Sequence, residues 1–333
     1  MTEDYLSLEL KLLHREKRFA AFSAGPLSDF WQQRQEAGFM GVAGVEITYV
    51  RFTSSEHSRA IVIAPGRTEG YIKYQELAYD LFQCGYDVWI IDHRGQGFSG
   101  RLLEDGQRGH VEEFNDYVAD FETFWQTAFT PARYASTFLL AHSMGGAISA
   151  LFLARHPDSF SAAALCSPML GIRLPMPKWL AKNITDLTER WPSVRESYAV
   201  GTGRWIPLPY AVNILTHSKV RYRLYSRYFS DYPELRVGGP TYRWVKESIA
   251  AGEQAIELAP QIATPLMLLQ AGEERIVDNQ AQNAFCEAMA QAGHPCESGG
   301  PIVIEGAFHE ILFERDGLRT KALLDILRFF AQY

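Results

Sequence analysis

Apolar positions along the chain follow two rhythms in alternation. "GVEITYVRF" (44–52) alternates apolar and polar residues as a half-buried strand does, whereas "AIVIAPG" (60–66) and "DVWIIDHRG" (87–95) are unbroken apolar runs ending in glycine-containing turns. Unbroken runs suit parallel strands buried on both faces. Between the last two, "YIKYQELAYDLFQCG" (71–85) repeats Tyr74, Leu77, Leu81 and Phe82 at helical spacing, and Gly85 is placed to end the helix. "EEFNDYVADFETFWQTAF" (112–129) sets Phe114, Val118, Phe121 and Trp125 on one stripe, which predicts a second amphipathic helix. The rhythm continues with strands "TFLLA" (137–141), "SAAALCSP" (161–168), "ATPLMLLQAG" (263–272) and "PIVIEG" (301–306). Helices are expected over "GGAISALFLARH" (145–156), 280–291 and "GLRTKALLDILRFFAQY" (317–333). Strand and helix repeated in this way predict a doubly wound, mostly parallel α/β sheet.

From about Met169 to about Ala250 the alternation stops. Prolines and aromatic residues crowd together in "RLPMPKWL", "ERWPSV", "GRWIPLPY" and "YRLYSRYFSDY". This stretch reads as a helical insertion between two late strands, lying over the carboxyl end of the sheet, where ligands bind in such folds. The expected organisation is a core formed by 1–168 and 251–333 with a cap at 169–250, whose Trp179, Trp191 and Trp205 are expected to form the cap's own core.

Composition narrows the classes. With 333 residues, 47% of them hydrophobic, the chain can bury a large core. The start, "MTEDYLSLELKLLHREKRFAAF", carries acids where a secretion signal has lysines, and no segment offers roughly 20 consecutive apolar residues, so a cytoplasmic protein without a membrane span is expected. Cys84, Cys166, Cys286 and Cys296 lack metal-type spacing and read as reduced, buried thiols. The net charge of −7 is uneven: between Met169 and Ala250 there are 13 Lys and Arg against 6 Asp and Glu, giving +7, so the rest sums to −14. No zinc-finger, helix-turn-helix or RNA-binding pattern accompanies that excess, which argues against nucleic acid and leaves two readings, a solvated face rich in arginine or a surface for anionic lipid.

"FLLAHSMGGAIS" (138–149) sets Ser143 between a strand and a helix. A turn that presents a serine nucleophile needs small residues two before and two after it, because strand and helix nearly touch. Ala141 adds one methyl to the usual glycine and Gly145 adds nothing; Gly146 completes the elbow glycines. A serine nucleophile needs a histidine base and an acid, in the chain order Ser, acid, His. Among the histidines near or after it, His142 points to the opposite strand face, His156 closes a helix, His217 lies in the insertion, and His294 follows a helix. Only His309 follows a strand, in "PIVIEGAFHEIL". The acid is expected in "PLMLLQAGEERIVD", where Asp278 reads as a helix cap and spacing leaves Glu273 and Glu274 open.

Through "APGRTEGYIKYQELAYDL", "DHRGQGFSGR", "AHSMGGAI", "LLQAGEERIVD" and "EGAFHEILFE", almost end to end, the chain resembles the monoglyceride lipase and lysophospholipase branch of the serine α/β-hydrolases, and is most similar to its bacterial lysophospholipases in "QAGEERIVDN" and "GAFHEILFE". The resemblance implies that fold. It also implies that Glu274, which precedes Arg275 where the monoglyceride lipases have Asp before Arg, is the orienting acid, with Glu273 as the fallback. It further implies an oxyanion hole built from the backbone N–H groups of Met144 and Arg67, the family's His-Gly-x being Pro65-Gly66-Arg67. The Arg67 side chain is expected near the substrate, where it would help hold a headgroup phosphate, and "DHRGQGFSG", with Asp92, is read as a structural loop beside the pocket. The implied chemistry is cofactor-free hydrolysis of a single-chain glycerolipid, lysophospholipid before monoacylglycerol, through an acyl-serine, with acyl transfer as a side reaction. An aspartate-nucleophile hydrolase is disfavoured by Ser143, and an inactive lipid-binding relative by the presence of a candidate for every role.

Overall fold

The computed structural model describes residues 8, 9 and 11–333. The reading of the first residues as lacking a secretion signal therefore bears partly on residues outside that range. Eight strands form one sheet: β1 (Gln35–Met40), β2 (Glu46–Phe52), β3 (Arg59–Ala64), β4 (Tyr86–Ile91), β5 (Ser136–His142), β6 (Ala162–Cys166), β7 (Leu266–Ala271) and β8 (Ile302–Ile304). Their spatial order is β1-β2-β4-β3-β5-β6-β7-β8. The pairs β1–β2 and β2–β4 are antiparallel and the others parallel. Strand β1, "QEAGFM", was not expected; it is an edge strand whose side chains are almost all exposed, so no apolar rhythm marks it.

The unbroken apolar runs follow from burial on both faces. Along β3, Ile61 and Ile63 enter one hydrophobic layer while Val62 and Ala64 enter the other, and Val88 and Ile90 separate from Trp89 and Ile91 in the same way on β4. The longer helices are α1 (Gln75–Gln83), α2 (Asn115–Thr123), α3 (Met144–Arg155), α4 (Lys178–Thr188), α5 (Lys219–Asp231), α6 (Tyr242–Leu258), α7 (Asn279–Gln291) and α8 (Asp316–Phe330), of which α1 and α8 cover one face of the sheet and α2, α3 and α7 the other. Two expected helices are shorter than their patterns. A 3₁₀ turn, Tyr71–Tyr74, precedes α1, and a π turn, Phe124–Ala128, ends α2. Among the described residues no helix is long and apolar enough to cross a membrane. Cys286 and Cys296 are not scattered in space: their sulfurs lie 2.7 Å apart in the core.

The segment between β6 and β7 carries α4, α5 and α6, and α6 runs through the expected edge at 250 to Leu258. Trp205 packs on Phe229 at 5.3 Å between ring centroids, but Trp179 and Trp191 are 65% and 52% exposed, so the expectation that all three form an internal core fails for these two. They face outward from the ends of short amphipathic pieces, a direction composition alone does not reveal. Much of the segment's positive charge is paired with acids outside 169–250: Lys178 and Lys182 meet Glu253, Arg195 meets Glu112, and Arg204 meets Asp105.

One basic residue is an anchor. Arg221 on α5 is buried, donating to both Glu76 oxygens at 2.7 and 2.8 Å and to Asp316 at 2.8 Å, and so ties the insertion to α1 and α8. Arg15 and Arg319 complete the network through Glu76 and Asp80. These guanidinium groups hold the Glu76 carboxyl well below its ordinary range despite burial. Its contribution to stability is therefore present above the ordinary carboxylate range and lost as pH falls towards its depressed native value. Removing one partner leaves buried charge uncompensated, so Arg221→Met is expected to cost about 3–5 kcal/mol in urea unfolding at neutral pH.

Candidate active site

Ser143 occupies the junction of β5 and α3 with φ +51° and ψ −116°, a conformation rarely adopted by side chains other than glycine. The turn holds because its neighbours are minimal. A Cβ on Gly145 would lie 2.1 Å from the Ala64 carbonyl oxygen, and one on Gly146 2.6 Å from Pro168 Cβ. Ala141 is accommodated within the sheet, in register with Ala64 and Leu165. The departure from glycine at that position therefore costs the turn nothing.

His309 lies in the loop after β8 and its Nε2 is 2.9 Å from Ser143 Oγ. Its Nδ1 is 2.8 Å from Glu274 Oε2, while Glu274 Oε1 accepts the N–H groups of Arg275, Ile276 and Val277 at 2.9, 2.7 and 3.2 Å. Burial opposes the charge on Glu274, but the imidazole and these amides outweigh it and hold the carboxyl below its ordinary value. The neighbouring Glu273 is exposed, its N–H donating to the Ala307 carbonyl. Asp278 caps α7 through Gln280 N–H at 2.9 Å. His156 contacts Glu122 and His217 contacts Glu314, both away from Ser143, and His294 is exposed.

The two backbone amides expected to receive the oxyanion lie on α3 and on the loop after β3, whose Gly66 approaches Ser143. Met144 N–H belongs to the first turn of α3, where amides lack intrahelical acceptors. Arg67 N–H, on the loop after β3, donates to no protein group among the described residues. That loop is held by groups the sequence reading did not single out: Glu69 accepts Gly66 N–H at 2.6 Å, and Gln96 donates to the Gly66 and Glu69 carbonyls at 2.7 and 2.8 Å while accepting Thr68 N–H. Gln96 belongs to "DHRGQGFSG". In this loop Asp92 accepts Tyr71 and Phe98 N–H groups, burial pushing its carboxyl up to about 7.

The Arg67 side chain turns under the insertion. It donates to the Gly238 carbonyl at 2.7 Å and stacks on Trp244 at 4.9 Å, with Nε unpartnered. Burial lowers this cation to about 10, and among the described residues no carboxylate pairs with it.

A buried serine, imidazole and carboxylate in line is equipped for acyl transfer. Residues 55–316 match the family described as serine aminopeptidase, S33. The chain belongs to this family of serine α/β-hydrolases. Within it, the chain is 56% identical to lysophospholipase L2 of Escherichia coli K12 over 96% of its own length and 94% of the relative's. It is 26% identical to the human monoglyceride lipase, covering 75% of this chain and 80% of that one. A soluble variant of the Saccharomyces cerevisiae monoglyceride lipase has the same fold, with a TM-score of 0.68 at 17% identity over 90% of this chain and 94% of that one. The carboxyl esterase of Bacillus coagulans gives 0.68 over 89% and 98%, also at 17% identity.

As a serine ester hydrolase the chain offers two adjacent glutamates in different settings. Glu274→Gln is expected to lower kcat by about 10³–10⁴-fold, since an amide favours the wrong imidazole tautomer, while Glu273→Gln leaves kcat unchanged; steady-state kinetics on one soluble ester reads both.

Proposed function

We propose that the protein is a lysophospholipase that releases the fatty acid from single-chain glycerophospholipids. The observation that carries this reading is the Ser143–His309–Glu274 line inside a chain 56% identical, nearly end to end, to a lysophospholipase L2. Ser143 Oγ attacks the acyl carbonyl while His309 Nε2 takes its proton, and Glu274 accepts the Nδ1–H and stabilises the imidazolium. The oxyanion is received by the Met144 and Arg67 N–H groups, each such donor being worth about 2.7–4 kcal/mol in the barrier. The glycerophospho alcohol leaves with the proton from Nε2. Water then attacks the acyl-serine, giving its proton to His309, which passes it to Ser143 Oγ as the acyl–oxygen bond breaks and the fatty acid departs; a lipid alcohol in place of water yields acyl transfer. No cofactor enters any step.

The phosphate of the substrate would supply what the Arg67 guanidinium lacks. A buried cation without a carboxylate is costly, and a phosphodiester is a suitable counter-ion. This favours lysophospholipid over neutral monoacylglycerol, the substrate named for the more distant relatives.

The insertion would bring the enzyme to its substrate. Nine large apolar side chains exposed there, from Trp179 to Tyr232, accompany unpaired basic residues such as Arg190 and Arg223. Such a surface suits reversible docking on an anionic bilayer by a cytoplasmic protein, on the inner face of the membrane.

The decisive assay presents lysophosphatidylethanolamine and monoacylglycerol in parallel to wild type, Ser143→Ala and Arg67→Met. Wild type is expected to release fatty acid and prefer the phospholipid, and Ser143→Ala to release none. Equal rates for those two enzymes would refute the serine mechanism. Arg67→Met should raise KM for lysophospholipid alone; an equal rise for both lipids refutes the phosphate role. Replacing both Trp179 and Trp191 by Ser should weaken sedimentation with phosphatidylglycerol vesicles by about tenfold, leaving hydrolysis of a soluble short-chain ester unchanged.

A further inference from the structure

His142, adjacent to the nucleophile, has both ring nitrogens facing groups that only accept. Its Nδ1 lies 3.1 Å from Glu69 Oε2 and its Nε2 3.3 Å from the backbone carbonyl oxygen of His309. A neutral imidazole carries one N–H and one lone pair, so one of these contacts would set a lone pair against an oxygen. Only the doubly protonated ring satisfies both. The ring is 3% exposed, and no water-facing alternative is open to either nitrogen.

The charge of the surroundings gives the same answer. Facing His142 are Glu69 from the loop after β3, Lys73 and Tyr74 from the turn before α1, and His309 and Glu310 from the loop after β8. Lys73 Nζ bridges Glu69 Oε1 at 2.6 Å and Glu310 Oε1 at 2.5 Å. Two carboxylates and one ammonium leave this buried cluster at −1. A proton on His142 brings it to zero. Glu69 is otherwise saturated with donors, taking Gly66 N–H and Tyr74 OH as well. Gly66 permits the arrangement, since a Cβ there would lie 2.8 Å from His142 Nδ1.

We propose that His142 is a permanently charged positioning residue, a buried imidazolium that holds the His309 loop by its carbonyl and, 4.9 Å from the His309 ring, disfavours a second charge there. The consequence for turnover rests on the reading of His309 as general base. A like charge at that distance opposes a second positive charge on the ring that accepts the Ser143 proton. Burial alone would discharge His142, but the Glu69 carboxylate outweighs it and raises its proton affinity. His309 faces Glu274 and Ser143 on its other sides, so its ring lies between the Glu274 carboxylate and the His142 cation.

Two measurements test this. In enzyme labelled with ¹⁵N-histidine at pH 8, where an ordinary imidazole near 6.5 is neutral, His142, assigned by its contacts with His309, should show two N–H protons; one N–H and one bare nitrogen overturns the proposal. This reading needs no substrate, so it stands apart from whether lysophospholipid is hydrolysed. In His142→Gln, the acidic limb of kcat/KM on a soluble ester should move up by about one pH unit. A loss of rate with the limb unmoved would reduce His142 to packing and overturn the tuning role. Should His142→Gln not fold, the spectrum of the wild-type enzyme still decides the charge.

Discussion

The contact on which the rest depends is the near-collision of α3 with the loop after β3. Gly145 sits where any side chain would strike the Ala64 and Pro65 carbonyls, and this closeness lets Ser143 stand at φ +51° with its hydroxyl within reach of His309. The same closeness brings Gly66 against Ser143, a Cβ there lying 3.1 Å from Ser143 Cβ. Strain at one residue is stabilised by the whole parallel sheet, since β5 lies between β3 and β6 with every backbone position paired. The energy that holds the serine is thus spread over strands far larger than the turn.

Much of this was legible in the chain. Parallel strands announce themselves by unbroken apolar runs, and the strand-to-helix change at Ser143 follows from a switch of period. His309 was reachable because only one histidine follows a late strand. Glu274 was not separable from Glu273 by spacing, because two adjacent residues in a loop obey no face rule; in the structure, three consecutive amides gather one carboxylate inward and leave the other in solvent. Strand β1 carries no signal, being exposed, and Trp179 and Trp191 show that aromatic content does not fix direction. Strand parity rightly turns His142 away from the Ser143 hydroxyl, yet it says nothing of Glu69 and Lys73, which arrive from another loop.

The insertion illustrates how net charge misleads when counted by segment. Its excess of basic residues is largely consumed by acids lying elsewhere in the sequence, with Arg221 bound into the core rather than shown to solvent. What remains distinctive is Arg67, a buried cation under the insertion with a carbonyl and an indole for company and, among the described residues, no carboxylate to pair with it.

The Glu69 carboxylate joins groups that otherwise share no covalent neighbourhood. One oxygen fixes Gly66, the neighbour of Arg67, and the same oxygen meets the histidine that grips the His309 backbone. The loop after β3 and the loop that carries His309 are thereby registered to a common point. A single buried carboxylate thus sets the spacing between two loops that arrive from opposite ends of the sequence.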